Sequence, residues 1–202
     1  MVSRFTRKIE SKKLRKVIKI FTEGTKTEPN YFNAIKDELR LNEILVKVVG
    51  TGDHTMPLVE RVIHDKNNQK DVYLDTEYWV VFDKDDHGQF KESIEKASAE
   101  GIHVAYSNTS FELWFVLHFE YLSTALHRSD FYPKLSKMLG VKYDKSNSDI
   151  YNLLKDKESV AIRNAKKLEE MHKNQRVTSL DKKDPSTTVY LLVESLRDLK
   201  KK

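Results

Sequence analysis

Five consecutive apolar residues at 78–82 (YWVVF), followed at once by the polar run DKDDHG, constrain this chain more than any other feature. An uninterrupted β-branched and aromatic run of that length fits a strand buried on both faces, the kind that lies inside a parallel sheet. Three further short, β-branched runs read as strands: 17–21 (VIKIF), 44–49 (ILVKVV) and 102–106 (IHVAY). The first closes on Thr22-Glu23-Gly24 and the second on Gly50-Thr51-Gly52, both turn signals. Between the runs the apolar spacing changes from continuous to helical. It places Tyr31, Phe32, Ile35 and Leu39 on one face, then Met56, Val59, Val62 and Ile63 on another, and residues 90–100 read as a helix stopped by Gly101. Four strands alternating with three helices predict an α/β fold: a parallel four-stranded sheet with flanking helices.

Residues 107–122 (SNTSFELWFVLHFEYL) start another helix, in which Trp114, Phe115, Phe119 and His118 read as packing residues. Beyond 123 the spacing is helical with no convincing strand. Helices are expected over 146–165 and 187–202, with 182–184 in an exposed loop. The predicted organisation is therefore a basic N-terminal arm (1–16), an α/β core (17–122) and a helical C-terminal region packed on it (123–202).

Charge follows the same division. The chain carries +5 overall, but 1–16 carries +6, 17–133 carries −8 and 134–202 carries +7. Basic ends favour solubility, and they also suit a polyanion held against an acidic, cation-binding centre. The absence of cysteine excludes disulfides, thiolate zinc sites and cysteine nucleophiles. No apolar run approaches the ~18 residues of a membrane span, and the first residues hold no signal-type apolar block, so a soluble cytoplasmic protein is expected. No glycine-rich nucleotide loop occurs, which argues against a nucleotide-driven motor in this chain.

The acids have the more specific placement. In an open parallel sheet, ligands bind at the carboxyl ends of the strands. Glu23 follows the first predicted strand, and Asp83 and Asp85 end the third, two residues apart and so on one side of an extended chain. Hard oxygen donors of this kind suit Mg²⁺ or Mn²⁺, although strand-end acids also simply cap turns. Glu28 and Glu112 each have two readings. Thr25-Lys26-Thr27-Glu28 and Thr109-Ser110-Phe111-Glu112 spell helix capping boxes, yet both acids lie near the same strand ends. Gly24 permits a tight turn, and the N–H groups after it, with Lys26, suit a phosphate. His87 directly follows the acids and is a further candidate ligand or proton carrier; His54 borders the same region.

The segments IFTEGTKTEPNYF (20–32), WVVFDKDDHGQF (79–90) and YSNTSFELWFVLHFE (106–120) closely resemble the RloB-like proteins of prokaryotic defence loci, and residues 184–189 (DPSTTV) resemble that family's last motif. Where many relatives have proline in the third segment this chain has Thr109, which can cap a helix. The resemblance implies a Toprim-like catalytic core, the domain shared by topoisomerases, primases and OLD-family nucleases. It also implies a role for Glu23 as general acid or base and metal ligand, and a Mg²⁺- or Mn²⁺-binding role for Asp83 and Asp85. Glu112, from its place after the fourth predicted strand, is a further candidate that could face the crevice and bind a second ion.

A metal-dependent nuclease acting on RNA (tRNA included) or DNA in antiphage defence is the leading expectation. A partner ATPase or restriction component, and an oligomer, are compatible with it. The alternatives are a Toprim module that binds nucleic acid or a partner ATPase without cutting, and a hydrolase of small nucleotides or phosphomonoesters.

Overall fold

A computed structural model describes residues 15–42, 45–70, 74–84 and 88–200. All four apolar runs form strands: β1 (Arg15–Thr22), β2 (Val46–Gly50), β3 (Leu74–Asp83) and β4 (His103–Asn108). They pair in parallel in the order β2-β1-β3-β4. The crossovers are α1 (Thr27–Glu38), α2 (Thr55–Asn67) and α3 (Phe90–Ala99).

Strand order positions the site. The chain leaves β1 for β2 on one side, then crosses to β3 on the other side of β1. Connections that depart in opposite directions leave a crevice at the carboxyl ends of the two central strands. Glu23 and Asp83 sit at those ends, where the Glu23 N–H donates to the Val81 carbonyl at 2.9 Å.

The apolar residues of β1 and β3 are buried on both faces of the sheet. Ile18 and Ile20 of β1, with Trp79 and Val81 of β3, enter one hydrophobic cluster. Phe21, with Tyr78, Val80 and Phe82, enters another beneath α2 and α3, where Leu58, Val59, Val62 and Ala97 pack. The first cluster is the larger because the C-terminal region closes over it. That region comprises α5 (Phe131–Leu139), α6 (Ile150–Leu154), α7 (Glu158–Asn174) and α8 (Val189–Lys200), preceded by the short α4 (Glu112–Leu117). Trp114 and Phe115 of α4, Phe131 of α5, Leu168 of α7 and Leu192 of α8 all join Ile18 and Val81 in it.

Four expectations need correction. The sheet has five strands, because Ser186–Thr187 forms β5 antiparallel to β4, with Ser107 opposite Thr187 and Asn108 opposite Ser186. Two polar residues give no period-2 signal. Thr187 and the following Thr188 also tie this segment to β4 through their hydroxyls: Ser107 Oγ lies 3.0 Å from Thr187 Oγ1, and the Tyr106 N–H donates to Thr188 Oγ1 at 2.9 Å. The helix expected from 107 on is confined to the six residues of α4. The expected 146–165 helix is split into α6 and α7 by a 3₁₀ turn at Lys155–Lys157. Neither capping box forms. Lys26 and Phe111 are the residues before α1 and α4, and neither helix start has a side-chain cap, so Thr109 does not cap either. Residues 1–14 of the basic arm lie outside the described residues. No helix among the described residues is long and apolar enough to cross a membrane.

Candidate active site

A pocket of about 200 Å³ opens at the carboxyl edge of the sheet, lined by Gly24, Thr25, Lys26, Thr27, Glu28, Asp83, Phe111, Glu112 and Lys145. Three carboxylates reach it from three elements: Glu28 from the first turn of α1, Asp83 from the end of β3, and Glu112 from the start of α4. Glu28 and Glu112 are buried, and the Asp83 side chain is only 17% exposed.

Gly24 has a different reason for being glycine than a turn. Its φ is not among the positive values found at Gly52, Gly88, Gly101 and Gly140. A Cβ there would instead overlap the Glu28 carboxylate, so the missing side chain makes the space that Glu28 occupies. Gly50, at the end of β2, has a related role: a Cβ would stand 2.8 Å from Pro29 Cγ and 3.0 Å from the Gly24 carbonyl. Small residues on neighbouring strand ends thus let the start of α1 sit directly over the sheet edge.

Burial places these acids in conflict. The Glu28 carboxyl is pushed up to about 7 by desolvation, reinforced by repulsion from Glu112 and Glu23 and opposed by Lys145. Asp83 is raised well above the usual carboxylate range by burial and then by Glu28 and Glu112; Arg128 and a backbone hydrogen bond from Phe111 work the other way. Cations from the C-terminal region partly compensate. Arg128 Nη2 lies 3.8 Å from Asp83 Oδ2 and donates to the Thr109 carbonyl at 3.1 Å. Lys145 Nζ lies 3.9 Å from Glu112 Oε1, and the Tyr143 hydroxyl donates to that same oxygen at 3.0 Å. The backbone of Lys145 is tied to α1 through Thr27 Oγ1, which donates to its carbonyl at 3.1 Å.

Of the sequence candidates, Gly24, Lys26, Glu28, Asp83 and Glu112 are brought together. Glu23 stands beside the pocket rather than in its lining, with His54 Nδ1 3.8 Å from its Oε1. Asp85 and His87 lie outside the described residues. His118 is a packing histidine: it is buried, and its Nδ1 lies 2.9 Å from the Trp114 carbonyl. Arg128, Tyr143 and Lys145 were not found from sequence. They stand 16 to 33 residues past Glu112 in segments with no motif, and only their packing against α1 and α4 brings them to the acids.

The donor set fits Mg²⁺ or Mn²⁺. It offers only carboxylate oxygens, and it holds more negative charge at close quarters than Arg128 and Lys145 relieve, a deficit that a divalent cation would remove. Among the described residues no group of three or more His, Cys, Asp or Glu is placed to hold an ion. The fit is therefore to an ion bound through one or two carboxylates with the remaining positions left to water or phosphate, as Mg²⁺ commonly is.

A mostly parallel α/β sheet with an acidic pocket at its switch point defines the general class. The chain belongs to the RloB-like family, whose family model, described as RloB-like protein, matches residues 18–196. No curated protein and no solved structure gives a significant match to it.

Proposed function

We propose that this protein is a metal-dependent nuclease with a Toprim-like core, hydrolysing phosphodiester bonds of RNA (tRNA included) or DNA in antiphage defence. The observation that carries the reading is the convergence of Glu28, Asp83 and Glu112 on one pocket at the carboxyl ends of β3 and β4 and the start of α1. Kinship with RloB-like proteins supports the Toprim assignment and the defence setting.

Asp83 and Glu112, with Glu23 beside the pocket and Asp85 two residues beyond Asp83 in sequence, are the residues that would hold the ion. A bound Mg²⁺ or Mn²⁺ supplies polarisation of the phosphoryl oxygen and a water of lowered pKa. Glu28 moves the proton. With a carboxyl near 7 it exchanges readily at neutral pH, the property of an effective general acid or base. Lys26 and Lys145 of the pocket lining, with Arg128 beside Asp83, are the cations that accept the substrate phosphate.

The test is incubation with labelled RNA, tRNA and DNA in Mn²⁺ or Mg²⁺, with and without chelator. Cleavage that disappears with chelator, and falls at least about 100-fold in Asp83→Ala, is expected. Binding without cutting under every metal condition would overturn the nuclease and leave a recognition module.

A further inference from the structure

A second pocket, of about 280 Å³, adjoins the acidic one and is lined by Tyr132, Tyr143, Asp144 and Lys145. Lys145 belongs to both linings. Tyr132 and Tyr143 stand with ring centroids 5.5 Å apart and planes inclined by 33°. Lys145 Nζ lies 5.6 Å from the centre of the Tyr132 ring and 3.9 Å from Glu112 Oε1, so it spans from the aromatic pair to the acids. Tyr143 makes the same link rigid, because its ring lines the second pocket while its hydroxyl bonds Glu112.

We propose that this tyrosine pocket seats the base of an unpaired nucleotide whose phosphate lies at the acidic pocket, which makes single-stranded nucleic acid the substrate class. The inference rests on the nuclease reading for its phosphate and adds the base site. The chemistry matches on each side. An aromatic face offers a base stacking that is tolerant of sequence, and a lysine beside it neutralises the adjoining phosphate. Asp144 adds a carboxylate that can accept from an exocyclic amino group of the base. A base inside a duplex is already paired and stacked on its neighbours and cannot enter such a pocket without leaving the helix. Residues 134–202, which include Tyr143 and Lys145, carry a net charge of +7, and a basic segment of this kind attracts a polyanion.

The experiment measures binding of single-stranded DNA and RNA oligonucleotides carrying 2-aminopurine, in chelator so that nothing is cut, with duplexes of the same sequence as competitors. The wild-type protein is expected to bind the single strands, quench the probe and ignore the duplex. Tyr132→Leu keeps an apolar side chain and removes the ring; with Tyr132→Ala it should weaken binding about tenfold and abolish the quench, while Tyr132→Phe retains both. Lys145→Gln should weaken binding and reduce its salt dependence by about one phosphate contact. Wild-type affinity and quench in a Tyr132→Leu protein that melts normally, or equal competition by duplex, overturns the proposal. The two readings separate cleanly. Cleavage in Mn²⁺ with Tyr132-independent binding sinks the base site alone, and Tyr132-dependent binding with no cleavage in any metal sinks the nuclease alone.

Discussion

At the scale of single residues, Glu28 makes the clearest claim. Its folded-state carboxyl lies near 7 against an ordinary 4.5, because burial and the neighbouring Glu112 and Glu23 outweigh Lys145. An acid raised on folding stabilises the fold fully below its unfolded value and loses that contribution as pH rises through the folded one. Stability should therefore fall between about pH 4.5 and pH 7, by on the order of 3 kcal/mol from this group, and Asp83 acts in the same direction. Glu28→Gln should melt higher than wild type at pH 8 and flatten this slope; Mn²⁺ added at pH 8 should raise the wild-type melting temperature more than that of the variant. An identical pH profile for the two proteins would refute the account. Gly24→Ala tests the space beside it. The substitution should displace the Glu28 carboxylate and lower cleavage at least about tenfold, yet in a Glu28→Ala background it should cost almost nothing further, the non-additivity expected of side chains in contact. Glu28 and Glu112 were legible as candidates, but the capping alternative could be rejected only once the helix starts were known to lie at Thr27 and Glu112.

At the scale of elements, the four parallel strands and three crossover helices were legible because buried runs and helical faces have local periodicity. β5 was not, since it is held to β4 by the hydroxyls of Thr187 and the following Thr188 rather than by apolar alternation. Thr187 Oγ1 both pairs with Ser107 Oγ and donates to the Tyr106 carbonyl at 3.1 Å, all in a buried position. Thr187→Val keeps the shape and strands those partners, so a loss of about 1–3 kcal/mol in denaturant unfolding is expected. A variant as stable as wild type would mean that β5 is held by its backbone pairing alone. The shortening of α4 has the opposite cause. Its six residues are all buried, and the apolar continuation through Phe119 turns away to pack beside the larger cluster.

At the scale of the whole molecule, the C-terminal region is part of the core and of the site. Residues from α5, α6, α7 and α8 share one hydrophobic cluster with β1 and β3, and Arg197 of α8 ties this layer to α1 and α7 through Glu38 and Glu158, each at 2.7 Å. A fragment of residues 17–122 should consequently expose one face of its sheet. It should fail to unfold cooperatively in urea, whereas the full chain gives a single transition. Cooperative unfolding of that fragment would make the helical region an accessory.

By itself the sequence determined the α/β class, the succession of the first four strands and three crossover helices, and the acids gathered at strand ends, since each of these is written in spacing over fewer than about twenty residues. Only the tertiary structure decided which acids share a pocket, which cations oppose them and where a fifth strand completes the sheet. Those outcomes depend on contacts such as Glu112 with Lys145 and Ser107 with Thr187, whose partners are distant along the chain and meet only when the core closes.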